Sequence, residues 1–373
     1  MHIISEFFQV ASHIVIYYLL PFVVVLGVMI FFHELGHFIT AKYFRVKVLK
    51  FALGFGPKIV AKEAGETEYS IRYVPLGGFV KMLGEDEDEE DEDSKPLTPD
   101  DMERAFNNQH PLKRIAIVAA GPLFNLVLAF FLFCGMFLIA GNYIMTSEIG
   151  QVKAGSPADK AGLKAGDVVV SVQGQAIDGW EDLKGQIQKQ YELIKLTVRR
   201  ADRLFDVTII PEEGTAINEF GEEIRSAQIG IVAAGKYEVI ELGAWLAIKE
   251  SIKETWKWIK LTCLVVVKLF QGVVSIRTVG GPIMIGQLTG QLAEESFSNL
   301  IPFMAVISIN LGILNLFPIP ILDGGVIIFL FIELILGRPI SIRKRELAQK
   351  IGLSLLIILM MIVFYNDILR LFQ

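Results

Sequence analysis

Apolar residues in this chain are gathered into long runs, and four of these are read as helices that cross a bilayer, which takes roughly 20 apolar residues. They cover 9–32, 115–140, 299–322 and 351–366, the last short but able to borrow from its flanks. Basic residues sit on one side of them. Lys42, Arg45, Lys47 and Lys50 follow the first run, Lys113 and Arg114 precede the second, and Arg338, Arg343, Lys344, Arg345 and Lys350 separate the third from the fourth. The positive-inside rule makes these loops cytoplasmic, with both termini and the loop between spans two and three outside.

Between the spans the pattern changes. Residues 51–83 alternate over short stretches punctuated by Gly54, Gly56, Pro57, Pro75, Gly77 and Gly78, which predicts a hairpin, either an ordinary soluble one or one whose edge strand pairs with an unwound substrate. Residues 147–213 read as a water-soluble α+β unit, with strands near 168–172, 195–199 and 205–210 around a helix near 180–190. The run from Ala154 to Asp167, with Gly155, Pro157, Gly162 and Gly166, is similar to the signature of bacterial PDZ domains, which take a peptide as an added strand. Peptide binding and simple shielding of the membrane region are equally open readings of this unit. Residues 241–276 mix apolar positions with five lysines and Trp245, Trp256 and Trp258, the mark of an amphipathic helix at the lipid headgroups. A fifth span is disfavoured because Lys268 interrupts the run.

The expected fold class is a polytopic α-helical membrane protein with about four transmembrane helices, a membrane-associated β-hairpin and one inserted PDZ-like domain. The expected order is first span 1–40, cytoplasmic region 41–112, second span 113–141 and PDZ-like domain 147–213. A linker with the interfacial helix follows at 214–298, then the third span 299–337, a cytoplasmic loop 338–350 and the fourth span 351–373.

Composition agrees: 53% of the 373 residues are hydrophobic and the mean hydropathy is +0.50. Nine consecutive acids, 85–93, outweigh the formal net charge of −6, so the acidity is one local block and the rest is net basic. That block predicts a solvated, disordered loop over 85–99. No nucleic-acid partner is expected. Cys134 and Cys263 stand in apolar surroundings without a CxxC or Cys/His cluster, and read as small buried hydrophobes. The N-terminal run lacks a basic start and a small-residue cleavage site, so it is expected to be a retained helix rather than a signal peptide.

The chemistry is concentrated at Phe31-Phe32-His33-Glu34-Leu35-Gly36-His37, an H-E-x-x-H motif at the end of a run with no formally charged residue from Phe7 to Phe32. Residues four apart share a helix face, so His33 and His37 can offer two imidazoles to one metal ion, with Glu34 beside them to take a proton from water. Such groups at membrane depth are costly, and a metal site gives them partners. Catalytic zinc usually takes three protein ligands. His13 lies more than about five helical turns back, and His2 and His110 stand outside the span, so an acid is expected to complete the site. Asp323 is preferred. It follows Asn315-Leu316-Phe317-Pro318-Ile319-Pro320-Ile321-Leu322, where two prolines break the helix, and it precedes Gly324 and Gly325, which permit close backbone approach. Asn315 could bind a substrate carbonyl or the developing oxyanion. Glu333 is the rival ligand, about 15 Å further along if helical.

These residues resemble the bacterial site-2 proteases of the RseP type, peptidase family M50. The resemblance covers nearly the whole chain. It rests on His33-Glu34-x-x-His37, Gly121-Pro122-Leu123-Phe124-Asn125, one PDZ-like domain and Asn315-x-x-Pro318-x-Pro320-x-Leu322-Asp323-Gly324. It implies that His33, His37 and Asp323 bind Zn2+, that Glu34 activates water, and that Asn315, Pro318 and Pro320 handle substrate. It also implies a multi-pass protein of the bacterial cytoplasmic (inner) membrane, its PDZ-like domain extracytoplasmic and its active site toward the cytoplasm. Its expected substrates are single-span membrane proteins such as anti-sigma factors or signal-peptide remnants, with peptide or ectodomain contact by the PDZ-like domain. Some members carry two tandem PDZ domains where this sequence has one, and the acidic block has no counterpart in the family pattern. Two rival readings are a non-catalytic receptor with a structural zinc and a membrane-anchored protease of the heat-shock type.

Overall fold

In a computed structural model, which describes residues 12–85 and 98–372, the first apolar run continues as helix because nothing in it stops one. A π-helical stretch, Ile14–Leu19, leads directly into α1 (Leu20–Tyr43), with Pro21 near the change from one to the other. After a short helix α2 (Pro99–Glu103), α3 (Pro111–Ala140) runs through the internal Pro122. Among the described residues four helical stretches are long and apolar enough to cross a membrane: Ile14–Tyr43, Pro111–Ala140, Phe297–Asn315 and Ile342–Arg370. The acidic block beyond Glu85, His2 and residues 9–11 of the first run lie outside the described residues.

The chain divides into two compact units, the second formed by Met136–Glu250 with Val267–Val274. In the first, Val25 and Met29 of α1 and Leu128 of α3 form a buried core with Met304, Ile307 and Leu311. These three belong to α8 (Leu300–Asn315). Small residues let the helices meet: Gly36 of α1 lies against the Ala120 carbonyl, and Gly312 of α8 against the Pro122 carbonyl, with no room for a methyl group at either.

The third span lies within 299–322 and is broken where the two prolines stand. Its helix stops at Asn315, residues 316–322 form turns, and α9 (Asp323–Leu336) starts anew. Pro318 and Pro320 each lack the N–H a helix needs, and local bonds such as Ile319 N–H to Phe317 O (2.7 Å) and Leu322 N–H to Ile319 O (2.8 Å) serve the freed groups. Gly324 and Gly325 press against the carbonyls of Leu316, Phe317 and Ile319, where a Cβ would overlap backbone. After Gly337 closes α9 in the left-handed region (φ 66°), α10 (Ile342–Arg370) exposes apolar side chains around most of its circumference, among them Ile351, Leu355, Ile358 and Met361.

The predicted hairpin consists of β1 (Val48–Ala64) and β2 (Thr67–Met82). Residues 55–64 pair with 67–74, as in Ala61↔Ser70 and Ala64↔Thr67. Residues 48–53 pair with 78–82 on one side, as in Phe51↔Val80 and Leu53↔Gly78, and residues 50–53 pair with 68–71 on the other. Gly54 and Gly56, whose φ of 90° and 84° suit glycine, separate the two paired stretches of β1. Because Phe51 also meets Tyr69, residues 78–82 become the edge of this sheet.

Within 214–298, expected to hold a linker and one helix, a helix α7 (Pro282–Glu295) forms besides α6 (Ala244–Phe270). The buried Asp367 carboxylate accepts from the N–H groups of Gly281, Ile283 and Met284 at 3.0–3.1 Å, serving donors that no turn of α7 can. Helix α6 is not among the four membrane-length helices.

The second unit centres on a sheet of β5 (Val168–Val172), β6 (Gln175–Ala176), β7 (Ile194–Arg200) and β8 (Arg203–Ile209), in the order β6-β5-β7-β8. Ile194, Leu196 and Val198 point alternately into a core with Ile149, Val169 and Leu183. Leu183 belongs to α5 (Trp180–Ile187), which follows the short α4 (Pro157–Lys160). The unit extends past 213. A hairpin of β9 (Glu212–Ile217) and β10 (Glu223–Gln228) follows the sheet. Then β11 (Ile231–Ala233) pairs with β4 (Ile149–Val152), and β12 (Tyr237–Ile240) with β3 (Asn142–Met145).

Asp167 in this unit has a fully buried carboxylate gripped by Arg200 Nε (2.7 Å) and Nη2 (2.8 Å) and by the Lys164 N–H (2.8 Å). Burial opposes its charge, but the Arg200 and Lys164 hydrogen bonds prevail and hold the carboxyl below its ordinary range. Its stabilising contribution is therefore complete above the ordinary Asp value of about 3.9. It is lost as pH falls below that and through the lowered folded-state value. Asp167→Asn should start less stable than wild type at pH 6 and lose less on acidification. Thermal melts of the full chain from pH 6 to pH 2 check this; parallel acid limbs would contradict it.

Candidate metal centre

Two elements deliver the charged atoms of the site. One turn of α1 places His33 and His37 on one face, and the restarted helix α9 presents Asp323 in its first turn. His33 Nε2 lies 3.3 Å from His37 Nε2 and 3.3 Å from Asp323 Oδ2, and His37 Nε2 lies 3.8 Å from Asp323 Oδ1. Among the described residues this is the group of three or more His, Cys, Asp or Glu side chains whose ligand atoms lie within 4.8 Å of one another. A tetrahedral zinc with ligands at 2.0–2.2 Å separates those ligands by about 3.3–3.6 Å. The two imidazole nitrogens and one oxygen of Asp323 lie within 4.8 Å of one another, close enough to share one metal ion after a small adjustment, and the donor set of two imidazoles and a carboxylate suits zinc.

The surroundings prepare these rings. His37 Nδ1 bonds to the Ile117 carbonyl at 2.9 Å, which puts the ring proton on Nδ1 and leaves Nε2 free for a metal. Gly121 of α3 lies directly behind that ring, and a Cβ there would overlap His37 Nε2. Asn125, one turn further along α3, is fully buried, with its amide 3.4 Å from His33 Nδ1.

Glu34, beside His33 on α1, packs against the hairpin, and the Val80 backbone donates to its carboxylate. A Cβ on Gly78 would stand 2.9 Å from Glu34 Cγ, so the edge segment 78–82 passes against the motif.

The rival ligand Glu333 is elsewhere, accepting from Arg114 Nη1 at 2.9 and 3.1 Å. His13 pairs with Glu294 (3.3 Å), and His110 accepts from the Leu112 N–H (3.3 Å). Asn315 ends α8, and its amide makes no hydrogen bond among the described residues. Pro318 is exposed, whereas Pro320 packs against Gly352 of α10, where a Cβ would stand 3.1 Å from the proline ring. Sequence reasoning gave Gly121 and Asn125 no role at the site. Their signal was the Gly121-Pro122-Leu123-Phe124-Asn125 motif itself, an α-helical i, i+4 pair of one small and one polar residue.

Comparison with known proteins bears on this geometry. The family model described as "Peptidase family M50" matches residues 21–359. A Clostridium acetobutylicum protein bearing the name "Putative zinc metalloprotease" is 38% identical over 345 residues, covering 92% of this chain and 94% of its own length. "Zinc metalloprotease RasP" of Oceanobacillus iheyensis is 30% identical over 425 residues, covering 94% of this chain and 98% of its own. Among solved structures, the PDZ domain of an SdrC-like protein from Listeria monocytogenes covers 24% of this chain and 87% of its own, at 21% identity and a TM-score of 0.19.

Proposed function

This chain belongs to peptidase family M50 and is a zinc metalloprotease, and from that premise we propose that it cuts peptide bonds within the membrane-spanning segments of single-span membrane proteins. In this reading His33, His37 and Asp323 hold the zinc and Glu34 is the base. The observation that carries it is the origin of the ligand atoms: two come from a membrane-length apolar helix and the third from the broken segment after another. Irregular backbone at that depth is tolerated where it is buried in protein or lines a wet cavity.

Zinc, when bound, polarises the scissile carbonyl and makes water more acidic. Glu34 accepts the proton of the attacking water and later delivers it to the leaving amine. The Val80 N–H fixes the carboxylate meanwhile. A helical substrate hides its amides in its own hydrogen bonds, so it must unwind first. The edge segment 78–82, next to Glu34, can hold the unwound stretch as an added strand. Asn315, Pro318 and Pro320 line the broken segment on which the substrate would be handled.

The protein would sit in the bacterial cytoplasmic membrane with this site toward the cytoplasm and the Met136–Glu250 unit outside. In that unit a cavity of about 150 Å³ lies between helix α5 and residues 226–231, where a peptide or part of a substrate ectodomain could bind. The receptor reading falls with family membership. It also needs four protein ligands to close a structural site, and three are present among the described residues.

The test is cleavage of a model single-span substrate in detergent, with the products located by mass. The expected cut falls inside the apolar segment, disappears with a zinc chelator and returns with zinc. A cut confined to the flanks, or one indifferent to chelation, would count against the proposal.

A further inference from the structure

We infer that Asn125 is a positioning residue for His33: its amide oxygen accepts the Nδ1–H and so leaves Nε2 bare for zinc. This rests on the assignment of His33 as a ligand made above. A ligating imidazole nitrogen carries no proton, so a neutral His33 that binds through Nε2 must carry its proton on Nδ1. The group facing Nδ1 is the Asn125 amide, with the atom placed as Nδ2 at 3.4 Å. Two N–H groups facing each other form no bond. Asn125 Oδ1, meanwhile, is buried and has no hydrogen-bond partner.

Rotating the amide by 180° leaves its shape unchanged, since the oxygen and nitrogen are told apart by their hydrogen bonds rather than their outline. It brings Oδ1 to Nδ1–H and so satisfies an acceptor that is otherwise stranded. His37 is already served in this way by the Ile117 carbonyl. Each histidine then has an oxygen behind it that fixes both ring and tautomer. The backbone holds Asn125 for this task. It is 0% exposed on α3, and its own carbonyl accepts from Ser308 Oγ of α8 at 2.8 Å.

Zinc affinity of the full chain in detergent, measured by competition with a chelator, tests the inference. Asn125→Leu should weaken zinc binding about 10–100-fold, and Asn125→Asp, which keeps an acceptor there, should stay within about threefold of wild type. Melting of the metal-free proteins separates this from a packing defect, because the Leu and Asp variants should then differ in affinity at matched stability. His33→Ala marks the dependence on the ligand assignment. If it binds zinc like wild type, the assignment and this inference fall together. If it loses zinc while Asn125→Leu keeps it, only the role of Asn125 falls. Equal loss in the Leu and Asp variants would also overturn that role. Histidine ¹⁵N spectra of the zinc-loaded wild type need no variant: His33 should carry its proton on Nδ1, and a proton on Nε2 contradicts the inference.

Discussion

Glu34→Gln keeps its zinc and loses cleavage by about 10²–10⁴-fold, the usual contribution of a positioned proton acceptor. The substitution is almost isosteric. The glutamine would still offer an amide oxygen to the Val80 N–H that Glu34 now occupies, so the α1–hairpin contact persists. The three converging ligand atoms belong to His33, His37 and Asp323, and none is altered. The change removes basicity: an amide does not take up the proton that water must lose. Zinc content near one per chain in both proteins, with product formed by wild type alone, is the expected pair of results. Cleavage by the glutamine variant at near wild-type rate, with contaminating proteases excluded, would remove Glu34 from its role. Loss of zinc together with activity would mean that Glu34 helps hold the ion.

Gly121→Ala should empty the metal site without touching any ligand. The new methyl carbon would overlap Nε2 of His37, the nitrogen aimed at Asp323 and His33, and would stand 2.9 Å from Cδ2. The ring has little freedom to yield. Its Nδ1 is tied to the Ile117 carbonyl, and α1 cannot withdraw from α3 easily because Gly36 is seated against the Ala120 carbonyl. Either the imidazole swings away and one of three ligands is lost, or the helices separate at the cost of overpacking, about 1–3 kcal/mol. Zinc affinity should fall by more than the about 10–100-fold that loss of an outer hydrogen-bond partner costs. Gly135→Ala on the same helix is the control, since a Cβ there meets nothing within 4 Å. It should bind zinc as wild type does. Chelator competition on both variants decides the matter, and equal affinities would mean that the α1–α3 contact is far softer than its geometry implies.

The sequence by itself determined what depends on near neighbours. Length and hydropathy marked four runs that recur as membrane-length helices. The four-residue spacing of His33 and His37 put both imidazoles on one face, and the two prolines required a break before Asp323. Each of these follows from backbone geometry within a few residues. Where the reading stopped short, the cause was pairing at a distance. The soluble unit was closed at 213, although β3 and β4 find their partners in β12 and β11. Helix α7 went unseen because its start is held by Asp367, which lies 83 to 86 residues away.

The positions of Asp323 and Glu333 show what only the tertiary structure decided. Both are acids following the same broken segment, and local pattern could prefer one but not locate either. Packing gave Glu333 to Arg114, 219 residues earlier, and brought Asp323 to within 3.3 Å of His33. Ile117 and Asn125 meet the histidines across 80 and 92 residues of chain, through a helix contact that exists because glycines let α1, α3 and α8 touch. Helix and turn propensities act over three or four residues. The metal centre depends on which helix faces meet, and that is set by the fit of whole surfaces.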